Sequence, residues 1–169
     1  MLVLTIIGAD RTGLVEALAR EIAAVGGNWE ESRLVRLAGQ FAGVMLVTID
    51  TARTDELVGA LRKLDASGLQ VSVRPTTSPS PATESTRFRL ELTGHDRPGI
   101  IRDVSRILVE RGLNIEELES EVASAPMSGD RMFKAQILVR APAHFQLPDL
   151  RARLEALAGE LMVDVDSAT

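Results

Sequence analysis

The chain has 169 residues, a formal net charge of −5, 45% hydrophobic and 25% charged residues, and no cysteine. That is the composition of an ordinary globular protein, and it excludes a disulfide framework, a thiolate metal site and a Lys/Arg-rich face for nucleic-acid phosphates. No apolar run approaches the ~18 residues of a membrane span, and four Phe with one Trp make a base-stacking platform a poor reading.

In chain order, Met-Leu-Val-Leu-Thr-Ile-Ile at the start lacks a basic region and a small-residue cleavage site. It reads as a first strand over 2–7, and the cytoplasm is the expected compartment. Leu14, Leu18, Ile22 and Val25 recur at helical spacing, and Gly26-Gly27 stops that helix. Two strands follow over 29–37 and 41–49, around the break at Ala38-Gly39-Gln40. A second helix starts at Thr54-Asp55-Glu56, where acidic residues suit the positive end of the dipole, and carries Leu57, Leu61 and Leu64. Val71 and Val73 alternate in a fourth strand.

Residues 75–86 hold three prolines and seven hydroxyl residues and read as a semi-stiff linker. The pattern then begins again. A strand over 87–93 precedes a helix with Ile100, Ile101, Val104, Ile107 and Leu108 that stops near Gly112. Another strand spans 114–123, and a loop with Pro126 and Gly129 spans 124–130. Phe133, Ala135, Ile137 and Val139 alternate with Lys134, Gln136 and Leu138, as in a sheet with one more buried face. Pro148 opens a helix bearing Leu150, Leu154 and Leu157, and Leu161, Val163 and Val165 close the series.

The second half repeats the first. Gly8-Ala9-Asp10-Arg11-Thr12-Gly13 returns as Gly94-His95-Asp96-Arg97-Pro98-Gly99, and nine of 25 positions between 8–32 and 94–118 are identical at a constant offset of 86. The expected organisation is therefore a domain over 1–74, the linker 75–86, a second domain over 87–166 and a tail 167–169. Each domain has the order β-α-β-β-α-β. The expected fold is α+β: two ferredoxin-like units, each a four-stranded antiparallel sheet with both helices on one face. Such a sheet keeps one open face, which suits pairing within the chain or a homodimer.

At each repeated turn a strand stops at glycine and passes straight into a helix, leaving several backbone N–H groups without helical partners. Those donors and the helix dipole favour an anion. Gly13 and Gly99 carry no side chain to block approach, and Asp10 and Asp96 add a carboxylate nearby. An amino-acid zwitterion matches both ends of that arrangement, whereas the aspartate disfavours a bare phosphate. The alternative is that each aspartate is a plain helix cap. Asn28 and Asn114 follow the helix-ending glycines and suit turn geometry or ligand contact. Arg11 and Arg97 suit solvated or ion-paired roles, with anion recognition as the alternative, and His95 and His144 lack metal-ligand spacing and suit the surface. Glu30-Glu31 and Glu116-Glu117 are neighbours on strands, whose side chains point to opposite faces, so they form no catalytic pair. No nucleophile–base motif is present, and neither an enzyme, a metal nor a cofactor is expected.

Asp96-Arg97-Pro98-Gly99-Ile100 followed by Gly112-Leu113-Asn114-Ile115 resembles the signature of ACT domains, small regulatory modules that often bind amino acids. Asp10-Arg11-Thr12-Gly13-Leu14 with Gly26-Gly27-Asn28-Trp29 is similar, with Thr12 in place of the usual proline. The stretch from Asn28 to Leu34, with Leu37 to Ala42 and Met45-Leu46, is similar to the first domain of the glycine cleavage system transcriptional repressor family. The resemblance implies a tandem of ACT domains without a DNA-binding domain, responsive to glycine or another small amino acid. It implies action on a LysR-type transcriptional activator through protein contact; the alternative is a free-standing sensor that controls a metabolic enzyme in trans. Carried over residue by residue, it implies ligand contacts at Asp10, Thr12, Gly13 and Leu14 in unit one and at Asp96, Pro98, Gly99 and Ile100 in unit two. Asn28 and Asn114 follow as second choices, and unit two has the more typical motif.

Overall fold

A computed structural model describes residues 1–77, 85–125, 129–143, 145, 147–157 and 161–168. The chain divides into two compact units, Met1–Ser80 and Pro81–Thr169. Unit 1 contains β1 (Leu2–Ala9), α1 (Leu14–Ala24), β2 (Asn28–Leu37), β3 (Gln40–Thr48), α2 (Thr54–Arg62) and β4 (Leu69–Pro75). Unit 2 contains β5 (Ser85–His95), α3 (Ile100–Glu110), β6 (Asn114–Ser124), β7 (Arg131–Pro142), α4 (Leu147–Leu157) and β8 (Met162–Ala168). The strand orders are β2-β3-β1-β4 and β6-β7-β5-β8, with every pair antiparallel. This is the split βαβ arrangement expected for each half.

One constraint builds both units: alternate residues of the inner strand must be covered by both helices. Leu2, Leu4 and Ile6 on β1 join Leu14, Leu18 and Ile22 on α1 and Leu57 and Leu61 on α2 in one core. Phe88, Leu90 and Leu92 on β5 meet Val104 and Leu108 on α3 and Leu150 and Leu154 on α4 in the other. Each fully buried leucine stabilises by about 1.5–3 kcal/mol. The intervening β1 residues, such as Thr5 and Ile7, point to the uncovered face.

Several boundaries differ from the expected ones for identifiable reasons. β4 runs into the expected linker through Pro75, and β5 begins at Ser85, because both line up with partner strands: Pro75 lies opposite Leu2 and Ser85 opposite Pro142. β8 likewise extends to Ala168, opposite Arg87. A 3₁₀ turn over Thr51–Arg53 precedes α2, and its cap is Asp50, which accepts from the Ala52 N–H at 3.0 Å. Both hairpins also carry a β-bulge absent from the sequence reading, at Trp29/Glu31 and at Ile115/Glu117. The expectations for linker residues 78–84, Pro126, His144 and the Leu157 side chain fall outside the described residues.

Gly8 shows how tightly unit 1 is closed. A Cβ there would stand 2.4 Å from the Gly68 carbonyl oxygen, where the turn after α2 enters β4. Gly59, inside α2, faces open space. Chemical denaturation should therefore give opposite signs for two alanine substitutions. Gly8→Ala is expected to cost about 1–3 kcal/mol through overpacking. Gly59→Ala should add about 0.5–1 kcal/mol by removing the flexibility of a helical glycine.

Candidate functional site

The two repeated turns share one design. The Asp10 N–H donates to the Gly39 carbonyl at 2.9 Å, and the Asp96 N–H donates to the Arg131 carbonyl at 2.8 Å, so each turn is tied to its hairpin. Three residues later the backbone passes through the left-handed region at Gly13 (φ 93°) and Gly99 (φ 88°), the N-cap positions of α1 and α3. Only glycine takes that conformation at little cost. The first helical bonds run from Ala17 N–H to Gly13 and from Asp103 N–H to Gly99, at 2.9 and 3.0 Å. The N–H groups just inside each helix therefore lack a helical acceptor.

The capping alternative for the aspartates fails, because neither helix has a side-chain cap and the cap residues are the glycines. Asp10 accepts instead from Arg36 Nε on β2. Asp96 accepts from Arg131 on β7, at 3.1 Å from Nε and 3.0 Å from the terminal nitrogen. The two units supply this arginine from different strands, so the repeat pattern does not reveal it. Each bond uses Oδ2, and Oδ1 takes no hydrogen bond among the described residues. Both pairs are solvent-accessible, which limits each to about 0–1 kcal/mol of stability.

The other carried-over residues separate by location. Thr12 and Pro98 are exposed at the turn, while Leu14 and Ile100 are buried in the cores, so only their backbone can face a ligand. Asn28 and Asn114 lie elsewhere. Asn28 is opposite Thr48, beyond the Leu2–Val47 pair where β1 begins, whereas Asp10 follows the Ala9–Gln40 pair where β1 ends. Asn114 is level with Arg87 and Arg140, at the start of β5. Each asparagine is thus roughly 25–30 Å along the strands from the turn of its own unit. Asn28 donates to Glu30 Oε1 at 2.9 Å, and Thr48 donates to the same oxygen at 2.6 Å. Those bonds, Thr48 first, hold the Glu30 carboxyl below its ordinary value. Its repeat, Glu116, is gripped by Arg87 at 2.7 Å and Arg140 at 3.2 Å. Both glutamates sit in the β-bulge, which gives this acidic position a structural role in each unit.

A feature of unit 2 that the motif did not announce is a buried carboxylate. Asp103, in the first turn of α3, is 7% exposed and accepts from Arg97 at 3.0 Å and from Arg102 at 3.0 Å. Arg97 is therefore ion-paired, as one of its expected roles had it. The Arg102 guanidinium also lies over the turn, with a terminal nitrogen 3.0 Å from where a Gly99 Cβ would stand. Unit 1 has Glu16 and Ala17 at the repeated positions. There Arg11 donates to the Ser67 carbonyl at 3.3 Å, and no atom lies within 4 Å of a Cβ built on Gly13. The two turns thus share a backbone but differ in their charged groups: Arg97 and Arg102 stand with Asp103 at the helix start of unit 2, whereas Arg11 stands at the turn of unit 1 and Glu16 in its first helical turn pairs with Arg20 at 2.9 Å.

Depressions lie on the open sheet faces of both units. One of about 370 Å³ in unit 2 is bordered by Glu91, Glu119, Glu121, Lys134 and Gln136. One of about 190 Å³ in unit 1 is bordered by Val3, Glu31, Arg33, Val44 and Leu46. Among the described residues no group of three or more His, Cys, Asp and Glu side chains could hold a metal ion.

Known proteins resemble the chain along its length. Residues 1–74 and residues 88–159 each match the ACT domain family. Over 162 residues the sequence is 28% identical to the glycine cleavage system transcriptional repressor of Escherichia coli (strain K12), covering 95% of this chain and 85% of that one. The crystal structure of an unknown protein from Galdieria sulphuraria is 28% identical and superposes with a TM-score of 0.86, covering 99% of this chain and 98% of that one. A crystal structure of a candidate glycine cleavage system transcriptional repressor, 19% identical with a TM-score of 0.72, covers 99% of this chain and 96% of its own and shares the fold.

The Arg97–Asp103–Arg102 cluster makes a pH-dependent prediction. Hydrogen bonds from Arg97, then from Arg102, outweigh burial and hold the Asp103 carboxyl below its ordinary value of 3.8. A depressed carboxylate contributes stability above its unfolded pKa and loses it as the pH falls through the folded value. Melting temperatures measured from neutral pH down to acid should therefore fall more steeply below about pH 4 in the parent chain than in Asp103→Asn. Parallel curves would show that the cluster does not stabilise the fold.

Proposed function

The chain belongs to the ACT domain family in both of its halves, and from that premise we propose that it is a non-catalytic, amino-acid-responsive transcriptional regulator of the glycine cleavage repressor type. The observation that carries this reading is the likeness to the E. coli repressor, which runs through both units and most of that protein's length. On this reading the protein works by contact with a LysR-type transcriptional activator and not by binding DNA itself. The acidic net charge of −5 favours a protein partner over phosphates.

The turn chemistry supports a small amino acid, glycine foremost, as effector. Helix N–H groups at Gly99–Arg102 suit its carboxylate, aided by the dipole and the two guanidiniums held by Asp103. The Asp96 carboxylate, with Oδ2 on Arg131 and Oδ1 without a partner among the described residues, suits its ammonium. Unit 2 is the principal site. Unit 1 offers the same backbone with Arg11 at its turn, but has Glu16 where unit 2 has Arg102, which weakens the pull on an anion. Because Asn28 and Asn114 sit far from the turns of their own units, any role in a pocket requires a turn from another domain.

Thermal unfolding against individual amino acids tests the sensor reading. An effector at 100 times its Kd stabilises by about 2.7 kcal/mol. The shift is expected with glycine or another small amino acid and should vanish in Asp96→Ala. That variant should itself lose no more than about 1 kcal/mol, since its ion pair is solvent-accessible. A shift that survives both Asp96→Ala and Asp10→Ala overturns the site, and no shift with any amino acid overturns the sensor. Affinity capture from the native cell separates the modes of action: a LysR-type activator supports repression, and a metabolic enzyme supports control in trans.

A further inference from the structure

The open faces of the two sheets, equivalent by duplication, carry different charge. On unit 2 the register places Glu117, Glu119 and Glu121 of β6, Glu91 of β5, and Asp164 and Asp166 of β8 in three outward rows, all six exposed. Two cations share those rows: Lys134 lies directly opposite Glu121, and Arg89 directly opposite Asp166. Six carboxylates against two cations leave a formal −4 there, beside −5 for the whole chain. In the row beyond, Arg87 and Arg140 are taken up by Glu116 at 2.7 and 3.2 Å. The three matching rows of unit 1 hold Glu31 with Arg33 and Arg74, a formal +1.

The fold gives no reason for so much negative charge, since an open sheet face needs only polar side chains. The middle row even sets Glu91 directly opposite Asp164, with Glu119 at its other end. Like charges directly opposite one another destabilise a sheet. Glu91 accepts from the neutral Gln136 at 3.3 Å, and Arg151 approaches Asp164 to 3.8 Å. The positions of Glu91 and Asp164 are held in unit 1 by Thr5 and Ser72, a pair without that cost.

We infer that the open sheet face of unit 2 is a docking surface for a Lys/Arg-rich surface of a protein partner. Charge complementarity selects that occupant. An apolar or acidic patch would strip water from the carboxylates without supplying counter-charge, and nucleic-acid phosphates are repelled. The carboxylates do not converge on one point either. Successive ones on β6 stand roughly 7 Å apart along the strand, and β6 and β8 lie about 14 Å apart across the sheet. That spread suits several cations fixed on a folded surface. Among the described residues no group of three or more His, Cys, Asp and Glu side chains could hold a metal ion. The depression of about 370 Å³ bordered by Glu91, Glu119 and Glu121 gives room for the long stems of lysine and arginine between the carboxylates. Matching of this kind speeds encounter and rejects acidic competitors. The inference rests on the protein-contact reading proposed above and adds where the contact lies and what chemistry it has. Neither turn takes part, so it is independent of the effector.

Nuclear magnetic resonance titration of the isotope-labelled full chain tests it, with a short peptide of alternating lysine and serine as the probe. Amide shifts are expected along β5 to β8 and not along β1 to β4, and the affinity should fall steeply with added salt. The variant Glu91→Gln/Glu119→Gln/Glu121→Gln should bind the peptide at least about 10-fold more weakly. The control Asp55→Asn/Glu56→Gln/Asp65→Asn removes the same charge from exposed positions of unit 1. It should change the affinity by less than about twofold. The first variant should also melt no lower than the parent, because it relieves the facing of Glu91 and Asp164. Used as baits in the native cell extract, parent and control should retain a partner that the first variant loses. Shifts spread over both units, equal weakening in the two variants, or spermine binding as tightly as the peptide overturns the proposal. A lower melting temperature in the first variant overturns it too, because the carboxylates would then serve the fold. A partner held equally by all three baits overturns the proposed surface and leaves the protein-contact reading standing. If no bait retains a partner, that reading fails and this inference fails with it.

Discussion

Everything in this chain depends on one packing requirement: a unit of this size has two helices with which to cover a four-stranded sheet, and they can cover only one face. The inner strand carries that demand. Leu2, Leu4 and Ile6 in one unit, and Phe88, Leu90 and Leu92 in the other, must all lie beneath helices. Their alternation sets the register of the neighbouring strands, since a slip of one residue would turn every leucine to solvent. The same demand fixes where the chain leaves the strand and starts the helix. That exit must be short, and both units solve it with a left-handed glycine at the helix cap.

The exit is where structure turns toward chemistry. A glycine cap offers no side-chain acceptor, so the N–H groups behind it stay available for an external anion, while the aspartate upstream is held aside by an arginine from the hairpin. The helix cap and the aspartate carboxylate are thus separated in space at these turns. The two copies then diverge through a few side chains on a common backbone. Asp103 holds two guanidiniums beside the turn of unit 2, and its counterpart in unit 1 is Ala17. Duplication supplied the geometry twice, and single substitutions decided its electrostatics.

Much of this was legible along the chain, and the limits have physical reasons. Helices α1 and α3 were readable because leucine and isoleucine recur at helical spacing between a turn and a glycine. The strands were readable from alternation, with ends displaced by a few residues. Strand ends are set by partners distant in sequence, as Pro75 and Ser85 show by pairing with Leu2 and Pro142. The bulges at Glu30 and Glu116 left no local signal, because an extra residue is defined only against the opposing strand. The repeated turns stood out as a motif, yet Arg36 and Arg131 did not, since they reach the aspartates from hairpins 26 and 35 residues away.

The sequence by itself determined the duplication, the α+β architecture of each unit, the two turns with their glycines and aspartates, and membership of the ACT family. The first three rest on local spacing and on comparison of one half with the other, and the last on the likeness of both halves to known ACT domains; none of them needs coordinates. Tertiary structure alone decided that Asn28 and Asn114 lie at the far end of the sheet from their own turns, and that Leu14 and Ile100 belong to the cores. It also decided that Asp10 and Asp96 are ion-paired and do not cap a helix, and that Ile7, Val35, Ala42 and Val44 share the open face of unit 1 where Thr93, Glu121, Lys134 and Gln136 share that of unit 2. The physical reason is common to all four. Which side chains meet is set by strand order and register, and those follow from burying both cores at once, not from any neighbourhood along the chain.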